Sequence, residues 1–486
     1  MIDAERARAL VREAGGAELL ERLDHLDAKG AERPTAPPPP LQPDSSARID
    51  FDVVIAGGGL WSLLAPILAA RGLSVAVLDR ARVAQAHREW NASGPELQAL
   101  VRTGIVDQTT LAGLVLARTS KGVCRFAGGG QYWVRGVLDH SVDAGALLAA
   151  GRALMQRRGV RVLDHHSLVS QKAGPDGIAV RVRSPGAEID LVARWLVDAR
   201  GASSPDATAD LVCPTVGGVV EGLSEGDADD EMNPEHGDIL ATIDGVENGL
   251  QHVWEAFPGR PGQTTINLFH YARARERPRL AQLYGRFFAK LPGYKRGAAR
   301  LVRPTFGLIP GWSRLCPAPR ASDSRVVLVG DTAARHSPLT CCGFGSALRS
   351  LDRAATALVN AVRDPHASCR DLECIVDDAP AHAVTGALAL VMASRTFKGH
   401  ELNQLLDAAF LSLSKLGEDH YASLLRDELS PREVLRFLTR TAATHPQVWR
   451  RVVSVLGPLS AGRWALGVAG AVRAARRNSQ GPNSNP

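Results

Sequence analysis

The sequence predicts an α/β chain built from a parallel unit and an antiparallel unit, followed by a helical C-terminal region. Three observations lead there. Residues 51–78 read as an apolar run, a glycine turn, an Ala- and Leu-rich stretch and a second apolar run. That is the order of a parallel β-α-β unit with strands buried on both faces. Residues 238–270 hold three strand-like runs in succession, the mark of an antiparallel region. From about Ala381, just past Pro380, apolar positions keep a helical period almost to the end.

Composition bounds the possibilities. The 486 residues are 45% hydrophobic and 22% charged, ordinary values that exclude a disordered, collagenous or coiled-coil chain. At roughly 100–200 residues per domain, about three structural units are expected. Seven cysteines are an odd count in a long chain and fit a reducing compartment. The opening MIDAERARALVREAGG has no apolar core, so no secretory signal is expected. No stretch approaches the roughly 18–20 apolar residues of a spanning helix; the longest, from Val452, meets Arg463. A cytoplasmic chain is expected, in solution or held peripherally on a membrane.

Charge is uneven. Of 57 basic residues 50 are arginine, and from Val434 onward there are eight arginines and no acid. Residues 221–236 hold seven acids and no base, as a solvated loop would. Aromatic and basic residues do not interleave as a stacking platform requires, so no nucleic-acid partner is expected. An anionic membrane surface and a plain solvated helix face both suit the basic tail.

The elements follow in order. Residues 3–29 carry Ala7, Leu10, Val11, Ala17, Leu20, Leu23 and Leu26 at helical spacing. Residues 33–46 (RPTAPPPPLQPDSS) read as an extended linker, since four prolines in a row favour polyproline geometry. Pro66 falls inside the first helical stretch of the β-α-β unit and demands the first turn or a kink. A helix is expected over 143–158 and a hairpin pairing 178–183 with 189–192 around Pro185 and Gly186. Strands at 194–197 and 325–329 each run into a loop, and a helix over 345–362 follows Leu348, Leu351, Ala355, Leu358 and Val362. There is no internal repeat.

The chemistry sits at these strand ends. Gly57-Gly58-Gly59-Leu60-Trp61-Ser62 lies between a strand and a helix, where glycines let backbone approach a pyrophosphate at the helix N-terminus. Asp79, 20 residues after Gly59, ends the next strand where a carboxylate can accept ribose hydroxyls. A second cradle lies downstream, in VLVGDTAARHSPLTCCGFGS over 327–346. There Gly330 and Asp331 follow a strand, and Pro338 precedes Gly343, Phe344 and Gly345 at the start of a helix. Its carboxylate suits a ribityl hydroxyl, and its helix N-terminus suits the pyrimidine edge of a flavin. Paired sites point to FAD. Asp198-Ala199-Arg200-Gly201-Ala202-Ser203 supplies a third loop, with Asp198 and Gly201 as further candidate contacts. No metal-ligand cluster stands out. The expected architecture is a Rossmann-like FAD-binding domain with a mixed, antiparallel-sheet substrate domain and a helical C-terminal region.

The order of GGGLWS, DARGASS and GDTAARHSP resembles the flavoproteins of the p-hydroxybenzoate-hydroxylase fold, which include monooxygenases, geranylgeranyl reductases, halogenases and lycopene cyclases. A narrower resemblance rests on REWNAS (88–93), Glu96-Leu97, WEAFP (254–258), FGLIP (306–310) and CGFGS (342–346). These are similar to the FAD-dependent lycopene cyclase-like proteins of the CruA and CruP type, over about residues 50–470. The vicinal Cys341 and Cys342 depart from that pattern and are expected to be small buried residues. The expected division of the chain is a helical segment 1–32, a linker 33–49, FAD-binding parts 50–210 and 306–370, a substrate domain 211–305, a helical region 371–478 and a tail 479–486.

What the resemblance implies is ring closure of an apolar isoprenoid or carotenoid polyene without net redox change, over a flavin kept reduced by NAD(P)H. Such chemistry needs an acid, a stabilised cation and exclusion of water. Glu255, between Trp254 and Phe257 in sequence, is the expected acid, its pKa raised by an apolar setting; the alternative places it on solvent at a sheet edge. Arg80, Arg88 and Trp90 are expected along the flavin or its phosphates, with His336 a weaker acid–base candidate. The helices carrying Val448, Trp449, Val452, Val453, Leu456, Leu459, Trp464, Leu466 and Val468 suit either a membrane interface or a packed helical subdomain. An FAD-dependent oxidoreductase, either a prenyl double-bond reductase or a monooxygenase, is the alternative. VWEAFP partly resembles the Tyr-x-Trp-x-Phe-Pro signature of prenyl reductases, shifted and without the Tyr, whereas the halogenase signature Trp-x-Trp-x-Ile-Pro is absent.

Overall fold

A computed structural model describes residues 3–29, 48–86, 88–174, 176–205, 207, 209–276, 279–313, 325–334, 339–340, 343–369, 371–372 and 379–478. Most of the expected linker 33–49, His336, Pro338, Cys341, Cys342 and the tail 479–486 lie outside the described residues.

The parallel unit forms around strand Phe51–Ala56, which pairs in parallel with Val75–Leu78 on one side and with the end of Ala187–Asp198 on the other. Arg161–Leu163 extends the sheet beyond Val75–Leu78, and Val326–Leu328 adds in parallel to Ala187–Asp198. Val53, Ile55, Val75 and Val77 face helices Leu64–Ala70, Ala144–Arg157 and Gly343–Arg363; Val54, Ala56 and Ala76 face Ile178, Val180 and Val182 of the hairpin. Burial on both faces is why these strands read as apolar runs.

The hairpin has the expected register, Arg181 opposite Asp190 and Val182 opposite Ile189. The strands expected at 189–192 and 194–197 are one continuous strand, Ala187–Asp198, because no Gly or Pro separates them. Pro66 is accommodated because a 3-10 turn, Leu60–Leu63, precedes helix Leu64–Ala70. It therefore lies in the first α-helical turn, where its missing N–H costs little.

Among the described residues the second sheet has eight strands. Its ordered path runs Ala272–Arg273, Leu211–Leu223, Gln263–Phe269, Val253–Pro258, His236–Ala241, Lys121–Arg125 and Gln131–Val134, with Gly297–Gly311 alongside Leu211–Leu223. The three runs of 238–270 are thus present as strands. Its two longest strands, Leu211–Leu223 and Gly297–Gly311, were not anticipated. Gly297–Gly311 crosses the 305/306 boundary unbroken, with Thr305 opposite Gly217 and Phe306 opposite Val216. The boundary drawn there divides a single strand. Lys121–Arg125 and Gln131–Val134 likewise belong to this sheet rather than to the parallel one.

Strand alternation decides what each face of the second sheet meets. Trp254 and Ala256 point toward helix Leu280–Tyr294 and the N-terminal segment Ala4–Lys29, two helices broken at Gly16, in a cluster with Ala7, Val11, Leu23, Tyr284 and Phe287. Val253 and Phe257 point the other way and join the core of the C-terminal helices. Six helices span Ala379–Asn478. The last two, Pro446–Leu456 and Pro458–Asn478, meet at Gly457, where φ is +79°, and form a pair bent by 114°. Among the described residues no single helix is long and apolar enough to cross a membrane. Much of the acidic segment 221–236 is exposed, as expected, and it ties back through Glu231–Arg296 and Glu221–Arg300 ion pairs.

Candidate active site

Three loops meet at the C-terminal ends of the parallel strands. Gly57 has φ +123°, and a Cβ on it would lie 2.3 Å from the Ala199 carbonyl oxygen, so only glycine lets the first and second loops touch. The Gly58 N–H donates to Asp79 Oδ2 (2.7 Å) and the Ala81 N–H to Asp79 Oδ1 (2.8 Å), so Asp79, expected to accept ribose hydroxyls, also braces the glycine turn. A Cβ on Gly59 would meet nothing within 4 Å. The third loop closes onto both others: Gly330, at φ +55°, lies against the Trp61 indole. The Gly201 N–H donates to Thr332 Oγ1 (2.8 Å).

These loops open on a cavity of about 940 Å³. Gly57, Gly58, Gly59, Leu60 and Trp61 line it, with Asp79, Arg80 and Arg88 from the following segment. Gly201, Gly330 and Asp331 line it from the other loops, and Gly343 and Phe344 from the start of the last helix of that unit. Trp90 packs against Phe344, ring centroids 4.9 Å apart.

Two expected contacts are not among the lining residues. Asp198 is fully buried, accepting from Arg200 Nη2 (2.7 Å) and Ser204 Oγ (2.6 Å). It orients Arg200, which does line the cavity. Gly345 instead sits against Glu96, whose carboxylate a Cβ would strike at 2.2 Å. Pro338 lies outside the described residues.

Glu255 faces this same cavity from the second sheet. It is 7% exposed, which sets aside the solvent-edge alternative. Its surroundings differ from those its sequence neighbours suggested. Trp254 points to the opposite face, stacked on Tyr294 at 4.6 Å, because adjacent strand residues alternate. Instead Asn267, directly opposite in register, donates through Nδ2 to Glu255 Oε2 (3.4 Å), and Thr305 Oγ1 donates to Asn267 Oδ1 (3.1 Å). Gly217 lies between Asn267 and Thr305 in the sheet, and a Cβ there would come 2.8 Å from Asn267 Oδ1. The missing side chain lets the row connect. A second carboxylate, Glu89, lines the cavity and pairs with Arg303.

Sequence reasoning missed Arg200, Thr265, Asn267 and Thr305, and also Arg22 and His25, which reach the cavity from the N-terminal helix. Register with Glu255 would have pointed to Asn267; nothing local marks Arg22.

No protein-family model matches the chain, and no curated protein matches it. Solved structures do. A geranylgeranyl bacteriochlorophyll reductase-like protein from Thermoplasma acidophilum is 14% identical with a TM-score of 0.59, covering 83% of this chain and 99% of that one. A flavoprotein/dehydrogenase from Cytophaga hutchinsonii is 13% identical with a TM-score of 0.58, covering 82% and 99%. The halogenase PltM in complex with phloroglucinol and FAD is 16% identical with a TM-score of 0.56, covering 87% and 94%. This chain has the FAD-binding flavoprotein fold. Within that fold its three loops and Glu255 border one shared space.

Proposed function

We propose that the chain is an FAD-dependent enzyme that closes a ring on an apolar isoprenoid or carotenoid polyene without net oxidation. The observation that carries this reading is that Glu255 and the glycine turn line one cavity. The residues fit FAD: the open face of Gly59 and the N-terminus of the helical segment after it suit a pyrophosphate. Asp331 and the Gly343–Phe344 helix start suit the flavin end. When bound, the reduced flavin supplies an electron-rich surface beside a developing carbocation, with NAD(P)H as the electron source. Glu255 holds the proton for the terminal double bond. Asn267 fixes the carboxyl through Oε2, and Thr305 fixes Asn267. Phe257 and the C-terminal helices keep water out.

A bilayer-borne substrate calls for contact with a membrane. Leu459 and Leu466 are 81% and 75% exposed on the last helix, beside the exposed Arg463 and in a segment without acids. We assign that contact to this helix; Val448, Val452, Trp464 and Val468 are core residues.

A second reading, reduction of a prenyl double bond, is favoured by the Thermoplasma protein's description. Co-expression with a lycopene pathway separates the two by product mass. An isomer supports closure, two added hydrogens support reduction, and one added oxygen supports a monooxygenase.

A further inference from the structure

The N-terminal segment Ala4–Lys29 is two helices broken at Gly16 (φ +75°) and folded back so that Arg8 Nη2 donates to Asp24 Oδ2 (2.7 Å); it belongs by packing to the second sheet, yet its second helix walls the Asp79 end of the cavity. Ala7, Val11 and Leu23 are fully buried against the cluster of Tyr284 and Phe287. Asp27 accepts from the Leu280 N–H (2.7 Å) and the Ala281 N–H (3.2 Å), capping helix Leu280–Tyr294. Gly15 lies so near Pro304 that a Cβ would come within 2.5 Å of its Cγ. Seated in this way, the helix brings Arg22 and His25 to the cavity wall beside Asp79, Arg80 and Arg88. Arg80 Nη1 donates to His25 Nε2 (3.1 Å), joining helix to turn.

Burial lowers the Arg22 pKa, and so do the like charges of Arg88 and Arg80; Asp79 and Glu18 act in the opposite direction. Three guanidinium groups therefore interact around one stretch of wall next to Gly57–Gly59. Asp79, on the same wall, accepts from the Gly58 and Ala81 N–H groups. An anion delivered among the three would relieve that like-charge repulsion.

We propose that Arg22 is a phosphate-binding residue of the cofactor site, so that the second N-terminal helix closes the Asp79 end of the cleft over bound dinucleotide. This rests on the FAD reading above. No local motif marks the residue, since it is brought to the turn by packing against a different sheet. Its consequence is that cofactor retention depends on a helix outside the parallel unit.

The test uses the full-length chain, stripped of flavin and titrated with FAD by fluorescence quenching. Arg22→Ala is expected to raise the FAD Kd about tenfold or more, the size of a lost charge-assisted contact, with Arg22→Lys intermediate. A purely structural arginine would lower the melting temperature of the apoprotein. Here Arg22→Ala is expected to lower the melting temperature of the FAD-bound protein by more than that of the apoprotein, because FAD stabilises the variant less than it does wild type. A Kd within twofold of wild type overturns the proposal, as does an apoprotein melting temperature reduced as much as that of the holoprotein. Failure of the wild type to bind FAD at all would overturn the flavin reading itself, a different and separately visible result.

Discussion

Gly57 and Gly59 are two residues apart, yet substituting them should produce opposite phenotypes. At Gly57 a Cβ would sit 2.3 Å from the Ala199 oxygen and 2.5 Å from its carbon, backbone that cannot swing aside, and φ is +123°. An L-residue at such a φ costs about 1–2 kcal/mol. Forcing the loops apart adds about 1–3 kcal/mol, a typical overpacking cost. Gly57→Ala should therefore lose about 2–5 kcal/mol from a total that for native proteins is about 5–15 kcal/mol. At Gly59 nothing lies within 4 Å of the added carbon. Gly59→Val should keep the wild-type apoprotein melting temperature within a few degrees but fill the space a pyrophosphate needs. Thermal melts of the two apoproteins, followed by FAD titration, read both effects. A Gly57→Ala protein that melts like wild type, or a Gly59→Val protein that binds FAD normally, would refute the packing argument.

Other perturbations probe the acid, the buried histidines and the exposed helix. Glu255→Gln should retain FAD and its melting temperature but yield no cyclic product in carotenoid-producing cells; unchanged product would remove Glu255 from the chemistry. Asn267→Ala should lower turnover while leaving FAD affinity within twofold, because it positions Glu255 from the sheet; equal turnover would contradict the hydrogen-bonded row. His252, its pKa pushed down to about 3 mainly by burial, lies with its ring centroid 5.6 Å from His270, lowered well below 6.5 for the same reason. Both should be neutral when folded and take up protons on unfolding. Stability should then be full above pH 6.5 and fall by up to about 1.4 kcal/mol per histidine for each pH unit lost toward pH 3. Among the described residues neither ring nitrogen of His270 has a hydrogen-bond partner, so His270→Leu should flatten that acid slope in denaturant titrations; an unchanged slope would count against it. Leu459→Asp with Leu466→Asp should abolish flotation with anionic vesicles and leave the fold intact, because both side chains are exposed. Undiminished flotation would locate membrane contact elsewhere.

What the sequence disclosed depends on whether the physics was local. The turn at Gly57–Gly59, the hairpin at Pro185–Gly186 and the helix 345–362 announce themselves through residues close along the chain. Leu211–Leu223 hid because its first ten residues are all buried, removing the two-residue alternation. Gly297–Gly311 hid because Pro304 and Pro310 interrupt it. Prolines suit that strand because its only strand partner among the described residues is Leu211–Leu223, which leaves its other side an edge. Trp254 misled because adjacency in sequence means opposite faces in a strand. Asp198 stood in the right loop, but its carboxylate turns inward to Arg200 and Ser204. Asn267 and Thr305 are ordinary strand residues until the register sets them in line with Glu255.

FAD titration of the purified full-length chain bears most directly on the central claim, that the three loops hold one flavin within reach of Glu255. Saturation at one FAD per chain is expected, with quenched flavin fluorescence and a raised melting temperature, both lost in Gly59→Val. Absence of flavin uptake after reconstitution, or uptake that Gly59→Val leaves untouched, would contradict it.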